Sequence, residues 1–279
     1  MEQTTTSKLL PASVRFPIGL ALFALAATIF YPLFFIVITS LRTNEDYMSS
    51  PFGIPEALNL HNYLVLLNDY GIGAAFVRTL VVATVAVVIE VTLATLAGYG
   101  LAKYAVPGGK VITGTFVAVL LIPGQVLIIP IYLMLSKLGL IGTYPGLILV
   151  YVATGLPFSV FFMMLSFRSL PNEVLEAARV DGAGFVRAFR SVAVPMGIAS
   201  VATIFVLQFL GKWNELLFAL ILLPDDKNLL TPALADIGDK YLSNQPLVSA
   251  GLLVTGIVPI MLLVFASRYI MQGMQVGVK

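Results

Sequence analysis

Residues 172–195 read Asn-Glu-Val-Leu-Glu-Ala-Ala-Arg-Val-Asp-Gly-Ala-Gly-Phe-Val-Arg-Ala-Phe-Arg-Ser-Val-Ala-Val-Pro, a polar stretch inside an otherwise apolar chain. Arg168, Arg179, Arg187 and Arg190 lie in or beside it, and long apolar runs flank it on both sides. A patterned, charged segment held between two apolar spans is most simply read as a surface shown to a soluble partner. Its pattern predicts an elbow of two short helices. Pro171 suits the first turn of a helix, where its missing N–H costs nothing. Glu173 and Glu176 place negative charge where the helix dipole favours it. Asp181-Gly182 supplies a stop, since glycine takes the left-handed conformation that ends a helix. A second helix from about Gly184 to Ser191 leads to Pro195 at the mouth of the next apolar run. Ala177 and Ala178 give the elbow a face without bulk, and Val174 and Leu175 supply apolar contact.

The rest of the chain explains why such an island stands out. Of 279 residues, 59% are hydrophobic and only 11% charged, where a soluble domain carries about 25% charged residues. This is the composition of a polytopic membrane protein. A net charge of +2 without a basic tract gives no reason to expect nucleic acid. Cysteine is absent, which removes disulfides, thiolate nucleophiles and cysteine metal sites together. The first apolar run, from Phe16, has no small-residue cleavage site after it and reads as an anchor.

A spanning helix needs roughly 20 mainly apolar residues. Six segments qualify: Phe16–Ser40, Ala75–Leu101, Val111–Leu133, Tyr144–Phe167, Met196–Leu223 and Leu247–Ile270. Pro32, Pro123, Pro157 and Pro259 fall inside four of them, which membrane helices tolerate when neighbours satisfy the freed carbonyls. The expected fold is therefore all-α, one membrane domain over residues 1–279, with a polar loop at 168–195 between spans four and five. With both termini inside, the inner side holds Lys8, Arg15, Lys103, Lys110, Arg168, Arg179, Arg187, Arg190, Arg268 and Lys279, ten cations. The outer side then holds Arg42, Arg78, Lys137, Lys227 and Lys240, five. The positive-inside rule favours this N-in, C-in arrangement. Two outer segments, Arg42 to Ala74 and Pro224 to Pro246, are rich in Asp and Glu, either as solvated loops or as a docking surface for an external protein.

Ionisable residues within spans are costly and mark functional candidates. Glu90 sits among Val87, Val88, Ile89 and Val91 midway along the second span, so its carboxyl is expected to face other helices or a water-filled path. Lys212 and Glu215, three residues apart, are placed to pair along one helix face. With Trp213 and Asn214 they suit either a path for a hydroxylated solute or a tie between helices.

The spacing Glu176-Ala177-Ala178, three residues, Gly182, nine residues, Val192-Ala193-Val194-Pro195 resembles the EAA loop of permease subunits in binding-protein-dependent ABC importers. That motif ends in Ile-x-Leu-Pro; Val at both apolar positions here is a conservative departure. Glu176-Ala177-Ala178-Arg179-Val180-Asp181-Gly182-Ala183 is similar to the carbohydrate-uptake branch, and in particular the maltose-type second permease. Three further stretches extend the resemblance over most of the chain: Lys212 to Leu222 with its Trp-Asn-Glu, Leu135 to Tyr144 between spans three and four, and Ser267 to Met274 at the close.

The resemblance implies an elbow that docks on a cytoplasmic ATPase subunit, with Glu176, Ala177, Ala178, Asp181, Gly182 and Ala183 as the coupling joint. It implies a second homologous permease, two ATPase subunits holding ATP and Mg, an extracytoplasmic solute-binding protein, and a sugar as solute, in the lipid of a prokaryotic inner membrane. Glu90, Trp213, Asn214 and Glu215 are the candidates for the solute path. Disaccharide, oligosaccharide, monosaccharide and polyol-phosphate importers share these motifs, because the external protein largely makes the selection. A proton-coupled secondary carrier using Glu90 is the alternative, though the internal repeats common in such carriers are not visible.

The chain itself is expected to hold no cofactor and to catalyse nothing. Pro107-Gly108-Gly109-Lys110 lacks the phosphate-loop spacing and reads as a tight turn. His61, the single histidine, falls in an outer loop as a solvated residue, and no Gly-x-Ser-x-Gly elbow occurs.

Overall fold

The computed structural model describes residues 12–55, 57–240 and 244–275, with side chains described for 16–55, 57–238 and 244–267. Lys8, Glu56 and Lys279 lie outside the described residues, as do the side chains of Arg15, Lys240 and Arg268. The described elements are helical. Four helices are long and apolar enough to cross a membrane: Phe16–Ser40, Ile72–Lys103, Tyr144–Arg168 and Gln245–Ser267. The count rises to six if two bent helix pairs each form one span.

The helices divide between two compact units. The first comprises residues 1–66 and 240–254. It holds α1 (Ala12–Ser40), α2 (Asn44–Ser49), most of α3 (His61–Asn68) and the start of α14 (Gln245–Gln275). The acidic stretch after α1 is a folded knot and not a loose loop. Arg42, 1% exposed, grips the Asp46 carboxylate through Nε (2.8 Å) and Nη2 (2.9 Å). Its Nη1 donates to the carbonyls of Pro51 and Gly53, and Asn62 Nδ2 donates to the carbonyls of Ser40 and Arg42. The Asp46 bond holds the guanidinium pKa above its ordinary value, and the same contact pulls the Asp46 carboxyl below the usual range.

The second unit, residues 67–239 and 255–279, is built on α4 (Ile72–Lys103) packed along α7 (Tyr144–Arg168). Ala75, Ala83, Ala86, Ala94 and Gly98 line the buried face of α4. A Cβ on Gly98 would lie 2.8 Å from the Met163 Cβ and the Met164 nitrogen, so glycine sets the distance between these helices there.

Prolines act differently from one helix to the next. Pro157 sits inside α7 without ending it. At Leu121-Ile122-Pro123 the third predicted span breaks instead. Here α5 (Gly109–Leu120) stops, and after a 3-10 turn at Gly124–Leu127 the helix α6 (Ile128–Lys137) resumes at 95°. Proline disfavours helical backbone at the residue before it and donates no bond of its own, and Gly124 adds freedom to turn.

The fifth predicted span is likewise two helices, α11 (Ile198–Trp213) and α12 (Leu217–Leu222). Asn214 caps the first, its Nδ2 donating to the Leu210 carbonyl. Glu215 caps the second, its carboxylate accepting from the N–H groups of Phe218 (2.8 Å) and Ala219 (3.0 Å). The polar stretch at 224–231 folds back on the same unit. Arg78 donates to the Asp226 carbonyl, Lys227 to the Gly142 carbonyl, and the Leu230 N–H to Thr79 Oγ1. From Leu230 to Lys240 the chain forms α13.

Candidate coupling elbow and buried polar cluster

The elbow forms where its sequence pattern places it. Pro171 stands just before α8 (Asn172–Val180) in an extended conformation, and Glu173 falls in the first turn. The helix ends in a Schellman motif: the Ala183 N–H reaches the Ala178 carbonyl (2.9 Å) and the Gly182 N–H the Arg179 carbonyl (3.0 Å). Gly182 makes this possible at φ +79, in the left-handed region that side chains resist. The chain then runs through α9 (Phe185–Ala188), a π-helical turn at Phe189–Ala193 and α10 (Val194–Met196). It bends by 75° at Gly197 into α11. The second arm thus extends past Pro195, five residues beyond the expected Ser191, because the π-turn carries it on.

One side of the elbow is fixed and the other is free. Leu175 is 3% exposed, so its apolar contact is internal, whereas Val180 is 88% exposed. Glu176, Ala177, Asp181 and Gly182 are exposed, and Ala178 and Ala183 are half-buried. The fixed side ends on the two long helices. Tyr99, near the end of α4, packs against Phe167, Phe185 and Phe189 with ring centroids 5.2–5.6 Å apart. Tyr104 packs at a tilt against Phe185, and the Arg179 guanidinium lies 5.1 Å from the Tyr104 ring centre. Lys103 Nζ donates to the Leu170 carbonyl and to Asn172 Oδ1, each at 2.7 Å. Aromatic pairs of this kind contribute about 0.5–1.5 kcal/mol each beyond area burial, so the elbow is tied to α4 and α7.

The second cluster lies between α4, α7 and α11. Glu90 is fully buried, and its Oε2 meets Lys212 Nζ at 2.5 Å. Its Oε1 accepts from Ser159 Oγ, also at 2.5 Å. Gln208 completes a ring, donating to Ser159 Oγ (2.9 Å) while its Oε1 accepts from Lys212 (3.0 Å). Gly155 is the floor under the carboxylate, since a Cβ there would lie 2.6 Å from Glu90 Cδ and closer still to both oxygens. Lys212 therefore pairs with Glu90 and not with Glu215, as the three-residue spacing suggested. The reason is direction: Lys212 turns inward to a charge from another helix, while Glu215 stays at the helix break and accepts from Tyr151 Oη (2.8 Å).

The four candidates for a solute path separate in the structure. Glu90 is held within the ring of contacts just described and does not border the cavity. Trp213 is buried, its Nε1 donating to the Thr255 carbonyl and its ring packed on Phe76 and Phe209. Asn214 is an exposed cap. Glu215 alone borders a cavity of about 250 Å³, with Tyr151, Thr154, Phe158, Gln208 and Lys212 on its walls. Gln208 and the α7 residues were not anticipated. Tyr151, Thr154, Phe158 and Ser159 do recur at helical spacing along α7, and Gln208 stands four residues before Lys212.

With this geometry in hand, the comparisons with known proteins are direct. Residues 91–276 match the family described as the inner membrane component of binding-protein-dependent transport systems. The chain is 37% identical over 215 residues to the diacetylchitobiose uptake permease of Streptomyces coelicolor, covering 77% of this chain and 70% of that one. It is 32% identical to the osmoprotective compounds uptake permease of a Synechocystis species, covering 94% and 91%. Its fold is similar, at a TM-score of 0.81 and 21% identity over 94% of this chain and 99% of the other, to a chain of a bacterial ABC transporter that imports the acidic polysaccharide alginate. The chain belongs to the inner-membrane permeases of binding-protein-dependent ABC importers, in their carbohydrate-uptake family.

Proposed function

We propose that this chain is one permease half of an ABC importer for a saccharide, and that it is driven through the elbow at Asn172–Met196. A second permease, two cytoplasmic ATPase subunits and an extracytoplasmic solute-binding protein complete the assembly. Six spans cross the membrane, with α5 and α6 together as the third and α11 and α12 together as the fifth, and with both termini and the elbow in the cytoplasm. The ATPase subunit grips the free side of α8, at Glu176, Ala177, Asp181 and Gly182. The fixed side carries its movement into α4 and α7 through Tyr99, Tyr104 and Lys103. The observation that carries this reading is the pairing of an exposed, low-bulk face with a rear surface bonded to two long helices. The relative named for diacetylchitobiose uptake and the hydroxyl-matching groups around Gln208 support a saccharide solute.

The test is Gly182→Val in the assembled transporter reconstituted in proteoliposomes. A β-branched side chain opposes φ +79 and adds bulk to the docking face. ATP hydrolysis should lose its dependence on solute transport while insertion of the chain in the membrane is unchanged. Normal uptake in this variant would overturn the coupling role. A proton-coupled carrier centred on Glu90 has less support, because Glu90 is held by Lys212 and Ser159. Collapsing the proton gradient at constant ATP should leave uptake intact.

A further inference from the structure

The cavity between α7 and α11 has the makings of a binding site on this subunit. Its walls combine aromatic side chains, Tyr151, Phe158 and Phe218, with hydrogen-bonding groups that are only partly used. Thr154 Oγ1 donates to the Val150 carbonyl and keeps its acceptor pairs. Lys212 donates one N–H to Gln208 and is paired in charge with Glu90. Gln208 Oε1 takes one of the two bonds it can accept. Glu215 accepts three bonds, from Tyr151, Phe218 and Ala219, of about four available to a carboxylate. Donors and acceptors thus alternate beside apolar ring faces. A ligand that satisfies both presents hydroxyl groups around an apolar C–H face, which is the surface of a sugar ring. At 250 Å³ the cavity falls just short of the roughly 300–1,000 Å³ that encloses drug-sized ligands, so it fits a short saccharide unit and not a long chain.

Its charge narrows the class further. Lys212 is the single cation on the wall, and buried Glu90 neutralises it from behind. Glu215 forms no ion pair with a described cation, Lys212 being paired with Glu90. The cavity therefore carries a net negative charge next to its opening, and a uronate carboxylate entering it would meet like charge. We propose that this cavity is a saccharide subsite of this subunit, built by Tyr151, Thr154, Gln208, Lys212 and Glu215, that accepts uncharged sugar units and excludes uronates. The proposal rests on reading the chain as a saccharide permease. It assigns solute selection in part to the membrane subunit. Glu90 is then a positioning residue, setting Lys212 and, through Ser159, Gln208.

The chain has no cysteine, so a single one can be introduced as a reporter. Gly211 lines the cavity, and a Cβ there meets nothing within 4 Å, which makes Gly211→Cys the position of choice and Thr154→Cys a second. In the complete transporter in nanodiscs, labelling of this chain by methanethiosulfonate reagents is followed with and without saccharide. The neutral probe is whichever of diacetylchitobiose, maltose, melibiose or sucrose the same preparation takes up with ATP, and the acidic probe is digalacturonate. The neutral sugar, at ten times its half-saturating concentration, should slow labelling roughly tenfold, because only the empty fraction reacts. Digalacturonate should leave the rate unchanged. The ratio of the trimethylammonium to the sulfonate labelling rate should fall several-fold in Glu215→Gln, because the carboxylate that draws the cation and repels the anion is gone. Transport with no protection at either position overturns the subsite and leaves the transport function standing. Equal protection by digalacturonate, or a reagent ratio that Glu215→Gln leaves unchanged, overturns the charge selection. A preparation that hydrolyses ATP but takes up none of the four sugars counts against the saccharide reading itself, and the subsite falls with it.

Discussion

Replacing Lys212 by methionine should cost far more than replacing Lys212 and Glu90 together. The pair is buried on both sides, with Lys212 at 6% exposure and Glu90 at none. In Lys212→Met the Glu90 carboxylate stays in the helix core with Ser159 Oγ as its remaining donor. Removing one partner of a buried pair leaves an uncompensated charge and costs about 3–5 kcal/mol, whereas replacing both with apolar groups of similar volume is close to neutral. Glu90→Met should carry a similar penalty, since it strands an ammonium with Gln208 alone. The sum of the singles therefore exceeds the double by at least about 3 kcal/mol in a double-mutant cycle. A loss of that size lowers the melting temperature of a chain this long by on the order of 10 °C. Trp213, the only tryptophan, adjoins Lys212 and is buried, so its emission reports melting of the purified chain in detergent. Single variants that melt with the wild type, or a double variant that loses the sum of the singles, would refute the buried pair as a coupled unit.

Other substitutions separate the remaining parts. Gly155→Ala drives a Cβ into the Glu90 carboxylate and should cost about 1–3 kcal/mol by overpacking; the same melt should show this cost disappearing in a Glu90→Ala background. Leu175→Ala empties a buried position of the elbow and should cost about 2–5 kcal/mol, read as faster protease nicking within residues 172–196. Val180→Ala, at a fully presented side chain, should leave stability within about 0.5 kcal/mol but weaken co-purification of the ATPase subunit. The Arg42–Asp46 contact predicts a pH dependence. Because the folded Asp46 carboxyl titrates below its ordinary value near 3.8, its contribution is complete above that value. It is lost as pH falls through the depressed one, and amide exchange over residues 43–53 should accelerate only below about pH 4.

Local chemistry alone determined the elbow. Pro171, the acidic first turn and Gly182 encode a helix, its start and its stop within a dozen residues, so the Schellman turn could be read before any packing was known. Apolar runs of spanning length were equally legible, because the lipid solvent requires them whatever their neighbours. The proline at 123 was visible too, but not its 95° consequence, since Pro157 leaves α7 continuous. What neighbouring helices supply to the freed carbonyls decides between a kink and a break.

Tertiary structure decided the polar residues. Lys212 and Glu215 are three apart in sequence and suggest each other, yet each finds its partner on a different helix, Glu90 on α4 and Tyr151 on α7. Trp213 looked available for a sugar and is sealed against Phe76 and Phe209, while Gln208 and Thr154 drew no notice and border the cavity. Sequence spacing fixes only which side chains share a face of one helix. Which charge answers a buried charge is set by desolvation, and that depends on every helix brought within reach.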